Sequence, residues 1–238
     1  MQRARSVEAK HQREQAILES ARGLAAVRGV RRVTLTDIAD ATGMHKSAML
    51  RYFETREQIF LRLTAEGWRE WSAALRASLA TAAVAGAEGA AGVAGAAGVA
   101  GAAGVAGAAG AGAEGVAAVI AESLVSRPLF CDLLAQAPLN LERNVSLESV
   151  REFKLVTLEE VGALVAEFQR LRPGLTEQQG VDLIATATSM AGALWQMATP
   201  GPEVEALYRS DPRLGHAIVE VEPRLERVLA ALLRGFAP

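Results

Sequence analysis

Residues 35–63 read LTDIADATGMHKSAMLRYFETREQIFLRL, and the spacing of their small and apolar residues decides the fold. Thr34-Leu35-Thr36-Asp37 has the capping-box form, a hydroxyl three residues ahead of a carboxylate, which opens a short helix. Gly43 ends that helix and supplies the permissive backbone of a tight turn. A second short helix follows over about 46–53. Two short helices joined in this way define a helix-turn-helix. Ala39 is small where the two helices cross, and Ile38, Met44, Met49 and Phe53 are apolar where the unit must bury a face. Thr55-Arg56-Glu57-Gln58 reads as another capping box. It opens a long helix with Ile59, Phe60, Leu63, Trp68, Trp71, Leu75 and Leu79 on its apolar side.

The outer side of 45–52 carries His45, Lys46, Ser47, Ala48, Leu50, Arg51 and Tyr52. That mixture suits the major groove of DNA. Lys and Arg donate to guanine O6 and N7, Ser meets base or phosphate, and Ala or Leu touches a thymine methyl. Thr34, Thr36, Tyr52 and Arg56 are placed to hold phosphates. The other reading of the same residues is an ordinary helical hairpin with a polar exterior. Charge favours the first: residues 1–56 hold eleven Lys and Arg against six Asp and Glu, a net +5, while the whole chain carries −2. A basic head on an acidic body fits a polyanionic partner, although a solvated charged surface has the same composition.

Outward from this segment the pattern stays helical. Residues 8–28 place Ile17, Leu18, Ala21, Leu24 and Ala25 on one stripe, and Gly29 ends the run. Further helices are predicted over 115–125, over 128–136 with Pro128 in its first turn, over 146–171 up to Pro173-Gly174, over 177–198 behind a Thr176-Gln179 cap, and over 223–235. Pro200, Gly201 and Pro202 break the chain between the last two. No alternating strand pattern is present, so the expected class is all-α. Residues 83–115 are different material: the unit AAGVAG recurs and Gly falls at every third position from Gly86 to Gly110. Collagen would need Pro, a membrane span would need Leu, Ile or Phe, and a long helix would carry a glycine penalty near 1 kcal/mol per position. The segment is therefore expected to be a flexible low-complexity insertion between two helices.

Composition excludes other classes. The chain has 238 residues, half of them apolar and 22% charged, enough for one or two globular domains. One cysteine, Cys131, cannot form an internal disulfide, and its neighbours Phe130, Leu133 and Leu134 favour a buried inert thiol over a redox sensor. The first thirty residues hold no apolar run of a signal peptide, and no stretch offers the apolar length of a membrane span. His11, His45 and His216 are too scattered for a metal site, and no catalytic constellation or cofactor motif is present. The expectation is a soluble intracellular protein that is not an enzyme and needs no metal or cofactor.

Asp37-Ile38-Ala39, Gly43-Met44, Met49 and Tyr52-Phe53, with Thr34 before them and the polar link into Glu57, resemble the DNA-binding head of the TetR family of bacterial transcriptional regulators over about residues 13–62. The family often carries Leu-Tyr where this chain has Met49-Leu50, which moves the expected base reading to Lys46 and Arg51. The resemblance implies a head over 1–56 and a helical ligand-binding and dimerisation domain over 57–238, interrupted at 83–115. It implies a cytoplasmic, nucleoid-associated homodimer that reads a palindrome and joins through about 177–198 and 223–235. In the first of these helices Ala185, Ala187, Ser189, Ala191, Gly192 and Ala193 permit close approach, either to a second copy or within one subunit. It also implies a small, largely apolar effector that releases DNA. Trp68, Trp71, Phe130, Phe153, Met190 and Trp195 could line its pocket with Gln196 or Thr188 as polar contacts, or could each be ordinary core. The alternative is a regulator or helical adaptor of the same fold controlled by a protein partner.

Overall fold

The computed structural model describes residues 2–94 and 112–236, with side chains over 8–82 and 112–236. Among the described residues every regular element is helical: α1 Gln2–Arg28, α2 Leu35–Ala41, α3 Lys46–Met49, α4 Arg56–Ala94, α5 Ala113–Val125, α6 Pro128–Gln136, α7 Leu147–Leu171, α8 Glu177–Ala198, α9 Pro202–Ser210 and α10 Val221–Gly235. Short 3₁₀ turns occupy Val30–Arg32 and Pro212–Ala217, and a π-helical turn occupies Ala137–Leu141. The all-α expectation holds.

The chain forms two compact units, Met1–Trp68 with Arg127–Thr157, and Arg69–Ser126 with Leu158–Pro238. A cut after residue 56 does not coincide with this division, because residues 57–68 and 127–157 pack with the helix-turn-helix. In this first unit α1 contributes Ile17, Leu18, Ala21 and Ala25 to the interior, whereas residues 8–16 lie exposed or half-exposed. Val30, Val33, Ile38, Met49, Ile59, Phe60 and Leu63 complete the core. Ala39 is buried, as its place at the helix crossing requires, and its carbonyl accepts the Met44 N–H at 2.9 Å. Gly29 and Gly43 both adopt positive φ, 79° and 64°, where a side chain would be strained. From α6, Phe130 meets Trp68 edge-on with ring centroids 5.9 Å apart.

In the second unit α10 lies against α5 and α8, and α5 also meets α8. Trp71 is fully buried, and its indole Nε1 donates to Ser123 Oγ at 2.9 Å, which donates in turn to the Ile120 carbonyl at 2.8 Å. Gly180 lets α8 approach α7: a Cβ there would stand 3.1 Å from both Val165 methyl carbons.

Three sequence expectations change. The flexible insertion does not begin at 83: α4 runs on to Ala94 and α5 opens at Ala113, while 95–111 lie outside the described residues. The several alanines of 83–94 are the best helix formers and offset its glycines, and a helix already nucleated over 56–82 needs only propagation. Pro200-Gly201-Pro202 does not merely break the chain. Gly201 is the N-cap and Pro202 the first residue of α9, a place where the missing N–H has no cost. The second capping box is only half present. Thr55 Oγ1 accepts the Gln58 N–H at 3.1 Å, but the Gln58 side-chain oxygen accepts from Glu54 N at 2.7 Å rather than from Thr55.

Gly67 sits under the Phe130 ring, and a Cβ there would lie 2.5 Å from ring carbon Cδ2. Gly67→Ala is therefore expected to destabilise the chain by about 1–3 kcal/mol through overpacking, despite the better helix propensity of Ala. A lowered urea midpoint with unchanged far-UV circular dichroism is the measurement that checks it.

Candidate nucleic-acid interface

The helix-turn-helix is built by local chemistry at its entrance. Thr34 has extended backbone (φ −97°, ψ 164°), and its Oγ1 accepts the Asp37 N–H at 3.1 Å. Asp37 Oδ2 accepts the Thr34 N–H at 2.7 Å and the Thr34 hydroxyl at 2.6 Å. The capping box read from sequence is complete here, as is the one at Thr176-Gln179. Arg28 adds an ion pair, Nη1 to Asp37 Oδ1 at 2.9 Å. The Arg28 guanidinium, followed by the Thr34 donors, holds the Asp37 carboxyl far below the usual carboxylate range.

The residues read as the outer side of the second helix differ in exposure. His45, Lys46, Ser47, Leu50 and Arg51 are exposed, Ala48 and Tyr52 are half-buried, and Met49 is fully buried. Only Lys46–Met49 is regular α-helix. Residues 50–52 continue as turns, with Arg51 N donating to the Ala48 carbonyl at 3.2 Å, and Phe53 N donates to the Met49 carbonyl at 3.1 Å. Leu50 stands 48% exposed, a large apolar group beside two cations. Thr34 and Thr36 are both exposed next to them in the chain's order.

Arg56 departs from expectation. Its Nε and Nη2 donate to the carbonyls of Val33 and Val30, its Nη1 meets Glu57 Oε1 at 3.1 Å, and its guanidinium lies 4.6 Å from the centroid of the Phe60 ring. A planar fork with that many partners is a structural brace, so Arg56 is not placed to hold a phosphate. The structure instead brings forward Arg31 and Arg32, exposed on the 3₁₀ turn just ahead of Thr34. Their adjacency to the cap was a legible signal, but sequence counted them only as charge.

Contacts also sort the basic charge of the head. Arg22 pairs with Glu66 at 2.8 Å, Arg28 with Asp37, Arg56 with Glu57, and Lys10 with Glu14 at 3.6 Å. Arg31, Arg32, Lys46 and Arg51 are exposed and join no ion pair among the described residues. These four cations thus lie on the helix-turn-helix or directly before it, while Arg13, also exposed and in no ion pair among the described residues, lies on α1.

The residues suggested for an effector pocket are divided. Trp68, Phe130 and Phe153 belong to the first unit and are nearly fully buried; Trp71 belongs to the second and is bonded to Ser123. Met190 and Trp195 are half-buried in the second unit. Thr188 is buried and donates to the Ile184 carbonyl at 2.8 Å, whereas Gln196 is exposed and so does not line a closed interior. Cys131 is fully buried, and desolvation, with the neighbouring Asp132 charge, pushes its thiol up to about 12, which agrees with an inert core cysteine. No group of three His, Cys, Asp or Glu that could hold a metal exists among the described residues. No described helix is long and apolar enough to cross a membrane.

Residues 17–63 match the family model for bacterial regulatory proteins of the tetR family, and residues 96–238 match that for the tetracyclin repressor-like C-terminal domain. The chain belongs to the TetR family. Its members are transcriptional regulators and not enzymes. Among solved structures this TetR-family chain is similar to the fatty acid degradation regulator FadR from Bacillus halodurans, at 11% identity, a TM-score of 0.49, and coverage of 91% of this chain and 94% of that one. It is also similar to a structure from Mesorhizobium loti described as a TetR-family transcriptional regulator, at 13% identity, a TM-score of 0.46, and coverage of 95% and 96%. No curated protein matches the chain.

Asp37 gives this interface a pH signature. Its folded-state pKa lies below its unfolded value of 3.8, so its support is complete well above that pH and is lost as acid protonates it. The difference in urea midpoint between the wild type and Asp37→Asn is expected to stay constant down to about pH 5 and to narrow from there to about pH 2. Thr34→Ala, which removes the hydroxyl of the cap, is expected to cost about 1 kcal/mol in the same measurement.

Proposed function

We propose that the chain is a homodimeric repressor that binds a palindromic operator through 45–52 and leaves it when a small, largely apolar molecule enters the body. The observation that carries the reading is the outer side of α3 and the turn after it, where Lys46 and Arg51 are exposed and unpaired on either side of Ser47 and Leu50. In this arrangement Lys46 and Arg51 read guanine edges, Ser47, Ala48 and Leu50 fill the groove between them, and His45 and Tyr52 lie at its margins. Thr34, Thr36, Arg31 and Arg32 hold the phosphates that set the register.

One head covers few base pairs, so useful specificity needs two heads about one helical turn apart, roughly 34–36 Å. The outer side of α8 supports a second copy there: Ala185, Ser189 and Ala193 are exposed at four-residue intervals, while Ala187, Ala191 and Gly192 are used inside the subunit. α10, packed beside α8, is the other member of the proposed interface. An apolar effector agrees with a second unit whose fully buried polar residues, among those described, are Ser72, Ser123 and Thr188. The protein acts in the cytoplasm, on the nucleoid.

Selection from a random duplex pool by the purified chain, followed by sequencing, tests the reading; an enriched palindrome is expected, and the absence of any motif would overturn it. On the selected duplex Arg51→Ala is expected to lose about 1–3 kcal/mol of binding and to relax base choice at one position of each half-site. Arg31→Ala is expected to weaken all sequences evenly and to flatten the salt slope by about one unit. Arg56→Ala is expected to lower the melting temperature of the head, because its partners lie within the fold.

A further inference from the structure

Residues 127–157 are far from the helix-turn-helix in sequence, yet they share its compact unit and bond to both of its ends. At the entrance, Asp132 of α6 is only 8% exposed, and its Oδ2 accepts the Val30 N–H at 2.7 Å. Arg56 grips the same turn through the Val30 and Val33 carbonyls, so the segment in front of α2 is held by a carboxylate on one group and a guanidinium on two others. At the exit, Glu54 follows the turns after α3. Its Oε1 accepts the Ser146 N–H at 2.8 Å and the Ser149 hydroxyl at 2.9 Å. Ser149 Oγ also accepts from Gln58 Nε2 at 2.9 Å and from the Ser146 hydroxyl at 3.0 Å, and Gln58 Oε1 accepts the Glu54 N–H. The side chains and backbone N–H groups of these four residues close a network whose central member, Ser149, is buried and fully satisfied.

We propose that residues 127–157 are a clamp on the reading head, and that Asp132 and Ser149 are positioning residues for DNA recognition. This rests on the DNA-reading function proposed above. α3 has four residues and α2 seven, too short to hold an orientation on their own. They join the rest of the unit through two links, the turn at 29–33 and the turn at 50–55, and the clamp fastens both. With both links tied, Lys46 and Arg51 cannot swing about either, and the angle at which each head meets its groove is set by side chains that touch no DNA. The family models stop at residue 63 on one side and begin at 96 on the other. Neither assigns 127–157 to the head.

The test uses the full chain and four variants: Asp132→Ala, Ser149→Ala, the two combined, and Asp132→Asn, whose amide oxygen can still accept the Val30 N–H. Binding is measured by fluorescence anisotropy on the selected palindrome and on the same duplex with one base pair added between half-sites. Circular dichroism and hydrogen exchange are followed in parallel. A hydrogen bond to a charged group in a buried site is large enough to matter by about tenfold in affinity. Asp132→Ala and Ser149→Ala are expected to bind the palindrome about tenfold more weakly and to discriminate less between the two spacings, while Asp132→Asn stays near wild type. A purely structural role would lower stability without changing spacing preference. Folded alanine variants that keep both affinity and spacing preference would overturn the clamp and leave DNA reading intact. If the wild type binds no duplex, the DNA-reading function fails. The clamp is then decided by exchange: faster exchange over 30–50 but not over 183–192 in Asp132→Ala supports it, and unchanged exchange overturns it. Should Asp132→Ala fail to fold, Ser149→Ala decides by the same readings.

Discussion

The guanidinium of Arg56 ties the front of the helix-turn-helix to the helix behind it, and the rest of the head is arranged around that tie. Val30 and Val33 lie on the turn between α1 and α2, where helical hydrogen bonding lapses, and Arg56 supplies donors to both carbonyls. Because Arg56 is the first residue of α4, the same contact fixes where the long helix starts relative to the turn. The ring of Phe60, one turn along, carries the remaining face of the guanidinium. Lys could not replace this fork, since one ammonium cannot meet two carbonyls and a carboxylate in one plane while laying a flat face on a ring.

A second constraint is electrostatic. The head is basic as composition, but a large share of that charge is spent on internal pairs with Glu66, Asp37, Glu57 and Glu14. Surface pairs of this kind add little to stability, yet they decide which cations remain available to a polyanion. Among the described residues the cations left over include those next to the cap and on the outer side of α3. The Asp37 carboxylate serves both ends of this arrangement, capping α2 and neutralising the Arg28 guanidinium.

Much of the head was legible in residues 34–56 because each structural demand there is local. A cap needs a hydroxyl and a carboxylate three apart, a turn with positive φ needs Gly43, and a helix crossing needs Ala39, so residue type and spacing state the geometry. Most apolar residues that sequence assigned to the core, from Ile17 to Leu79, are buried for the same reason, with Leu24 and Met44 only half-buried. The errors arose where local rules compete. The glycines of 83–94 argued against a helix that propagation from 56–82 carries through, and Pro202 looked like a breaker where it is a helix start. The suggested pocket residues share hydrophobicity, which does not tell a cavity lining from a packed core, and they divide between two compact units.

The sequence by itself determined the family, the all-α class, the capped helix-turn-helix and the outward set from His45 to Arg51, since these follow from spacings of a few residues and from periodicity. Only the tertiary structure decided that Arg56 is a brace, that Arg31 and Arg32 are exposed beside the cap, and that Asp132 and Ser149 reach the ends of the helix-turn-helix. Those facts depend on pairs separated by 26 residues for Arg56 and Val30, 102 for Asp132 and Val30, and 95 for Ser149 and Glu54. No periodicity or motif encodes a contact at that distance. It exists only once the helices have packed and brought a donor within reach of an acceptor.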